Sequence, residues 1–160
     1  MGVDVAPSML EEAQKNLCNK AISNVDLVVA DDRLSGVTGT FDFLVSWSVV
    51  QHIPPGRGET ILKAMIARLE EGGIGALVFT YCRKTSRITR TVNWMRKYVT
   101  FVNNVVNLTQ TKPFFYPMMQ WNTYNLGKIF SLLQEQGCRQ IYAELSEHGS
   151  GTCNVSLFFR

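Results

Sequence analysis

Carboxylates end two short, mostly apolar runs near the start of this chain. Asp4 follows Gly2-Val3, and the pair Asp31-Asp32 follows the run from Val25 to Ala30. If the runs are parallel strands, one acid can accept two hydrogen bonds from a ribose diol. The other can accept one from the exocyclic amine of adenine. Open α/β sheets bind ligands at that edge. The spacing therefore favours a nucleoside site over solvated loop acids.

The residues between these acids predict the element that would position them. Pro7 and Ser8 are typical of a helix start, and Ser8-Met9-Leu10-Glu11 has the spacing of a capping box. Leu10, Ala13 and Leu17 then recur at helical spacing and give one apolar stripe. The first 32 residues are thus predicted to form strand, helix and strand, with an acid at each strand end.

Five stretches in a fixed order extend this pattern and carry a resemblance. The series is Gly2-Val3-Asp4-x-x-Pro7-x-Met9-Leu10-x-x-Ala13, Val28-Val29-Ala30-Asp31, Phe41-Asp42-Phe43-Leu44-Val45-Ser46, Val49-Val50-Gln51-His52-Ile53-Pro54, and Leu69-Glu70-Glu71-Gly72-Gly73 before Ala76-Leu77-Val78-Phe79. No single piece is specific, but the ordered series covers nearly the whole chain. On these residues the chain resembles a class I S-adenosylmethionine-dependent methyltransferase.

The resemblance implies a Rossmann-like α/β sheet, mostly parallel, with an antiparallel strand in a C-terminal hairpin. It implies transfer of a methyl group from S-adenosylmethionine to an unidentified acceptor. The family's first strand, glycine-rich loop and first helix would lie before Met1 and are expected to be missing. Gly72-Gly73-Ile74-Gly75 does not replace the loop, because it follows a predicted helix instead of opening one. The strands ending at Asp4 and Ser46 would then pair directly or expose an apolar edge.

Without that loop, weak or no catalysis is expected of the chain as written. One alternative is a non-catalytic pseudo-methyltransferase that acts as a binding subunit. Another is a gene prediction that lost its upstream sequence.

The resemblance also assigns residues. Asp4 would bind the ribose and Asp31 the adenine, with Asp32 taking the part of Asp31 if the register shifts by one. Ser46 and Trp47 fall where the family's strand end faces the transferring methyl group, and Trp47 either walls the pocket or fills core. His52 is the candidate base for a hydroxyl or amine nucleophile. A structural role for His52, bonding a nearby carbonyl beside the turn, is favoured over that one.

The rest of the chain predicts alternating strands and helices. In order, these are a strand over 41–46, a helix over 59–71 capped by Gly72, a strand over 74–81, a long amphipathic helix over 86–107, a helix capped by Asn122 or Thr123 and stopped by Gly137, and strands over 140–145 and 154–159. The expected organisation is a single domain over residues 1–160, with a variable substrate-side insertion at about 83–121.

That insertion concentrates positive charge. Residues 1–71 hold ten acids and six Lys or Arg, whereas residues 72–134 hold eight Lys or Arg and no acid. The basic cluster is most simply a solvated helix face, but it also suits a carboxylate or phosphate on a small substrate. Arg83, Arg87, Tyr116 and Trp121 are the candidate substrate-side residues. RNA is a minority alternative, because eight basic residues spread over sixty positions give a lower density of positive charge than a nucleic-acid site usually has.

Composition excludes several other classes. The apolar share of 46% and the charged share of 18% suit a globular protein, and no run reaches the length of a membrane span. The four cysteines lie far apart and there are only two histidines, so no metal site is expected. Unpaired thiols without a visible signal peptide favour the cytoplasm. The oligomeric state is left open.

Overall fold

A computed structural model describes residues 1–85, 91–92, 94–95, 99–109, 111, 114, 119–148 and 151–160. The strands are β1 (Gly2–Asp4), β2 (Leu27–Val29), β3 (Phe41–Trp47), β4 (Leu69–Arg83), β5 (Ile141–His148) and β6 (Thr152–Phe159). The helices are α1 (Pro7–Asn19), α2 (Pro55–Ile66), α3 (Thr100–Thr109) and α4 (Leu126–Glu135), with a 3₁₀ turn at Val50–His52.

The strands form two sheets. β1 and β2 pair in parallel, and the second sheet has the order β3-β4-β6-β5. β3 and β4 are parallel, while β6 is antiparallel to both of its neighbours. The arrangement confirms the predicted α/β fold with a parallel part and an antiparallel C-terminal hairpin.

β1 and β3 do not pair with each other in the described part of the chain. Of the two arrangements expected for these strands, direct pairing is therefore wrong and the exposed apolar edge is present. Phe43, Val45 and Trp47 on β3 are 56%, 54% and 65% exposed. Edge strands with unpaired backbone groups and apolar side chains favour association.

The main core lies between β4, β6 and the helices α2 and α4. Leu62, Phe79, Leu133, Val155 and Leu157 are almost completely buried there. β4 is one of the two internal strands of its sheet, and its paired position on both sides explains the continuous buried run from residue 75 to 80.

Tyr124 joins this core to the 3₁₀ turn. The side chain is buried, and its hydroxyl contacts the carbonyls of Val50 and Ile53, each at 2.9 Å. Burial raises the pKa of Tyr124 to about 12. The phenol therefore stays protonated and can donate to these carbonyls at neutral pH.

A smaller core connects the β1–β2 unit to the rest. Ala30, Leu34 and Val37 are buried together, and Met65 on α2 packs against them. The guanidinium of Arg68 donates to the carbonyls of Leu34 and Val37 at 2.8 and 3.2 Å. Since each donor satisfies a carbonyl of the loop after β2, that loop is held against α2.

Two predicted helix ends in the first half are wrong. Helix α1 begins at Pro7 with Ala6 as the capping residue, so Ser8 is not the cap. Helix α2 was predicted over 59–71 but begins at Pro55, because proline is favourable at the first helical position. It ends at Ile66. Gly72 does have a positive φ of 79°, but it lies inside β4 and not after a helix.

Two predicted features in the second half differ in detail. Asn125 caps α4 by accepting from the Lys128 amide at 3.1 Å, so the cap predicted at Asn122 or Thr123 is wrong. Gly137 follows α4 with a φ of 92°, as expected for a helix stop. The helix predicted over 86–107 falls partly outside the described residues, and α3 covers 100–109.

Candidate active site

A cavity of about 520 Å³ lies between β1 and β3 and follows both strands, from Met1 and Phe41 to the carboxyl ends at Asp4 and Trp47. Its lining includes Asp4, Asp31, Ser46 and Trp47. Residues from three separate segments of the sequence thus face one space. The topology explains this, because parallel strands deliver their carboxyl ends to the same edge.

Asp4 is positioned by the backbone on both sides. The Ala30 amide donates to the Asp4 carbonyl at 3.0 Å, which aligns the ends of β1 and β2. The Ala6 amide donates to Oδ1 of Asp4 at 2.8 Å, which fixes the side chain before α1 begins. A carboxylate offers about four acceptor positions. The described contacts use one, so the geometry leaves capacity for both hydroxyls of a ribose.

Asp31 is held by the loop that follows it. Its Oδ1 accepts from the amides of Arg33 and Ser35 at 3.1 and 2.9 Å, and its Oδ2 accepts from the Ser35 hydroxyl at 2.7 Å. The Ser35 amide, followed by the Ser35 hydroxyl, lowers the pKa of Asp31. The side chain is therefore charged at neutral pH. Among the described contacts three of its acceptor positions are used, which leaves one on Oδ2 for a single amine donor.

Asp32 points to a different place. Its two carboxylate oxygens accept from Nε and Nη2 of Arg57, both at 2.7 Å. The hydrogen bond from Arg57 lowers the pKa of Asp32. Asp32 and Arg57 line a separate groove of about 420 Å³. Asp31 lines both this groove and the main cavity. The side-on ion pair ties the loop after β2 to the first turn of α2.

Ser46 and Trp47 line the opposite wall of the main cavity. Ser46 is buried, whereas Trp47 is 65% exposed. Trp47 therefore does not fill core. Its expected place beside the transferring methyl group stays a prediction.

His52 lies beside the cavity residues Val50 and Ile53 but is not itself among the lining residues. Its Nδ1 is 2.9 Å from the carbonyl oxygen of Gln120. A carbonyl only accepts, so Nδ1 carries the proton and a neutral His52 keeps its lone pair on Nε2. The contact matches the structural role favoured from the sequence, and it also leaves Nε2 in the form that a base requires.

Trp121 and Arg83 form a second patch next to His52. The rings of His52 and Trp121 meet edge to face with centroids 5.4 Å apart. The Arg83 guanidinium carbon lies 5.7 Å from the Trp121 ring centroid. The structure thus brings these three candidates together. Arg87 and Tyr116, the other two substrate-side candidates, lie outside the described residues.

A buried polar cluster behind Trp121 was missed from the sequence. The Trp121 indole donates to the Thr80 hydroxyl at 3.0 Å, and that hydroxyl contacts Oε1 of Gln51 and Oδ1 of Asn154 at 3.1 and 2.8 Å. Thr80 lies in an apolar run of β4, where a polar residue in an otherwise buried strand was the available signal. The cluster ties β4 and β6 to the 3₁₀ turn beneath the patch.

Within the described residues, no three His, Cys, Asp or Glu side chains converge as metal ligands would. The same part of the chain contains no helix with the length and apolar character needed to cross a membrane.

Comparison with known proteins gives both a sequence match and a shared fold. Residues 1–73 match the family described as Methyltransferase domain. No curated protein matches the sequence. The solved structures that share the fold have low sequence identity, so their similarity concerns the fold alone.

Three of these structures illustrate the match. Magnesium protoporphyrin IX methyltransferase (ChlM) from Synechocystis PCC 6803, solved with bound SAH, is 16% identical with a TM-score of 0.63 over 99% of this chain and 63% of its own. The S-adenosylmethionine-dependent methyltransferase SibL is 16% identical with a TM-score of 0.60 over 97% of this chain and 41% of its own. An O-methyltransferase family 2 protein from Planctomyces limnophilus, in complex with apigenin, is 11% identical with a TM-score of 0.58 over 99% of this chain and 42% of its own.

The chain therefore spans less than two thirds of these proteins. The family match and the shared fold confirm the resemblance to class I methyltransferases that the sequence motifs predicted.

Proposed function

We propose that this chain, which has the fold of class I methyltransferases, holds the nucleoside of S-adenosylmethionine and the acceptor in an enzyme that methylates a small molecule. The observation that carries the proposal is the placement of Asp4 and Asp31. They face one cavity from the ends of two paired parallel strands.

The free acceptor capacity of these two carboxylates fits the donors of adenosine. Asp4 would accept from the two ribose hydroxyls, and Oδ2 of Asp31 would accept from the adenine amine. Asp32 is the weaker candidate for the adenine, because Arg57 already engages both of its oxygens. The Asp32–Arg57 pair would instead keep the loop that carries Asp31 in place.

Ser46 and Trp47 are proposed to wall the reacting end of the cavity. When bound, the cofactor supplies a methyl group on a sulfonium sulfur, which is a good leaving group. Transfer of that group depends on alignment more than on acid or base, so a wall that orients the reactants and excludes water contributes to the rate. The exposed indole of Trp47 provides an apolar surface for this purpose.

The acceptor is proposed to lie against Trp121 and Arg83. An aromatic face beside a guanidinium suits a small, flat, electron-rich or anionic molecule. The solved structures of this fold that name a magnesium protoporphyrin or apigenin support a small-molecule acceptor and not RNA. The acceptor atom is proposed to be a hydroxyl oxygen, with Nε2 of His52 receiving its proton.

The proposal is tested by calorimetric titration of the folded chain with S-adenosylhomocysteine, with adenosine in parallel. We expect S-adenosylhomocysteine to bind, and to bind more tightly than adenosine. Equal affinities would mean that only the nucleoside is recognised, and would favour the alternative of a non-catalytic binding subunit. The absence of heat for both ligands, from a chain with a cooperative melting transition, would contradict the proposal.

The proposed role of His52 predicts a specific protonation form and a kinetic effect. Long-range ¹⁵N NMR should find the Nε2 of neutral His52 unprotonated, because Nδ1 donates to Gln120. With phenols and apigenin as test acceptors, His52→Gln should lower the rate of S-adenosylhomocysteine formation about 10²-fold or more. His148→Gln is the matched control. If His52 is purely structural, His52→Gln should change the Michaelis constant and leave the turnover rate close to that of wild type.

A further inference from the structure

Two cysteines face each other across neighbouring strands, away from the nucleoside cavity. Cys82 on β4 is paired in register with Cys153 on β6. The register shifts between Thr80 and Cys82, so Tyr81 and Cys82 together oppose Cys153. Such a bulge directs both of its residues towards the same partner.

The pairing places one half-buried and one buried thiol side by side on the two strands. Cys153 is 8% exposed and Cys82 is half-buried. Burial, followed by the charge and hydrogen bond of the neighbouring Cys82, raises the pKa of Cys153. Lys84, two residues after Cys82, pairs with Glu147 on β5 at 3.1 Å.

The backbone spacing fits a covalent bond. Directly opposed residues of antiparallel strands have Cα atoms about 4.5–5.5 Å apart, and disulfides need about 4.4–6.8 Å. The pairing continues on both sides of this position, from Thr80 with Asn154 to Arg83 with Thr152, so the two strands already hold the cysteines opposite each other. The other two thiols are placed differently: Cys18 is exposed on α1, and Cys138 is buried just after α4.

We propose that Cys82 and Cys153 form an oxidation site that closes to an intrachain disulfide in the presence of a peroxide. The thiolate of the more accessible Cys82 attacks the peroxide, gains one oxygen as a sulfenic acid and releases water or an alcohol. The thiol of Cys153 then attacks that sulfur, the new S–S bond forms, and the hydroxyl takes the Cys153 proton and leaves as water. The two thiols are oxidised by two electrons and the peroxide is reduced by two.

The site has a structural connection to the acceptor patch. Cys82 immediately precedes Arg83, whose guanidinium lies over Trp121. Cys153 immediately precedes Asn154, which contacts the Thr80 hydroxyl that accepts from the same indole. A covalent link between these two positions would restrict the strand ends on which the patch is built.

The experiment treats the folded chain with hydrogen peroxide and maps it by mass spectrometry without reduction. We expect a peptide pair joined through Cys82 and Cys153, a mass loss of about 2 Da, and full reversal by dithiothreitol. Cys82→Ser and Cys82→Ala should each abolish the link, and Cys18→Ser should keep it. The two Cys82 variants retain the buried Cys153 and are checked by circular dichroism for folding.

The melting temperature provides a second measurement. The oxidised chain should melt several degrees higher than the reduced chain, because the bond closes a long loop in the unfolded state. Sulfinic acid at Cys82 without a link would overturn the proposal, as would products linked only through Cys18.

Discussion

Replacing Asp4 by Asn should weaken S-adenosylhomocysteine and adenosine binding about 10²- to 10³-fold while leaving the chain folded. Each hydrogen bond to a charged group contributes roughly 1.5–3 kcal/mol, and the proposed ribose contact has two of them. An amide of the same shape keeps one acceptor but loses the charge and presents two hydrogens to the ribose hydroxyls. Calorimetric titration of wild type and variant measures the difference.

Asp42→Asn is the matched control. It makes the same substitution at an exposed position near the amino end of β3, whereas Asp4 lies at the carboxyl end of β1. It should leave both affinities unchanged. If Asp4→Asn and Asp42→Asn bind equally well, the ribose is not held at Asp4 and the proposed orientation of the nucleoside is wrong. If Asp4→Asn instead lowers the melting temperature strongly, its carboxylate serves the start of α1 through the Ala6 amide.

The sequence could place Asp4 and Asp31 at one edge of the sheet because their positions depend on strand ends. A strand that stops at Asp4 and another that stops just before Asp31 put both acids on one edge whatever the exact bounds are. The contribution of the loop after Asp31 could not be predicted. Whether Ser35 or a ligand occupies an Asp31 oxygen depends on the path of that loop, which has no periodicity to read.

The errors at helix ends have a common physical cause. Leu69 continues the apolar spacing of Leu62 and Met65 along α2, so periodicity alone extends the helix to residue 71. In the structure α2 ends at Ile66 and β4 begins at Leu69, because pairing of Leu69 with Phe41 overrides that local pattern. The Thr80 cluster was missed for a similar reason, since its partners come from three distant segments of the chain.

Gly58→Ala should strongly destabilise the described core. A Cβ at Gly58 would overlap the Tyr124 hydroxyl and lie 2.8 Å from Cζ of the ring, which is backed by a filled core. Overpacking and the loss of the Tyr124 hydrogen bonds should together lower the free energy of unfolding by about 2–4 kcal/mol. Chemical denaturation monitored by circular dichroism measures this change.

Gly56→Ala separates the clash from the general effect of adding a methyl group to α2. No atom lies within 4 Å of a Cβ at Gly56, and alanine favours a helix over glycine, so this variant should be as stable as wild type or slightly more stable. Tyr124→Phe gives the second arm. Removing the hydroxyl relieves the nearest contact of the new Cβ but not its contact with Cζ. In the Tyr124→Phe protein, Gly58→Ala should therefore lower the free energy of unfolding by less than in wild type, but still measurably. Equal losses at Gly56 and Gly58 would contradict the packing explanation.

The same substitution connects stability to the site. The Tyr124 hydroxyl contacts the carbonyls of Val50 and Ile53, and both of these residues line the cavity between β1 and β3. A displaced Tyr124 releases the 3₁₀ turn between them, which also carries His52. We therefore expect Gly58→Ala to weaken S-adenosylhomocysteine binding even at temperatures where the chain is fully folded, whereas Gly56→Ala should not. If binding is unchanged in the folded variant, the turn keeps its position without Tyr124, and the cavity wall is set by β3 and α2 alone.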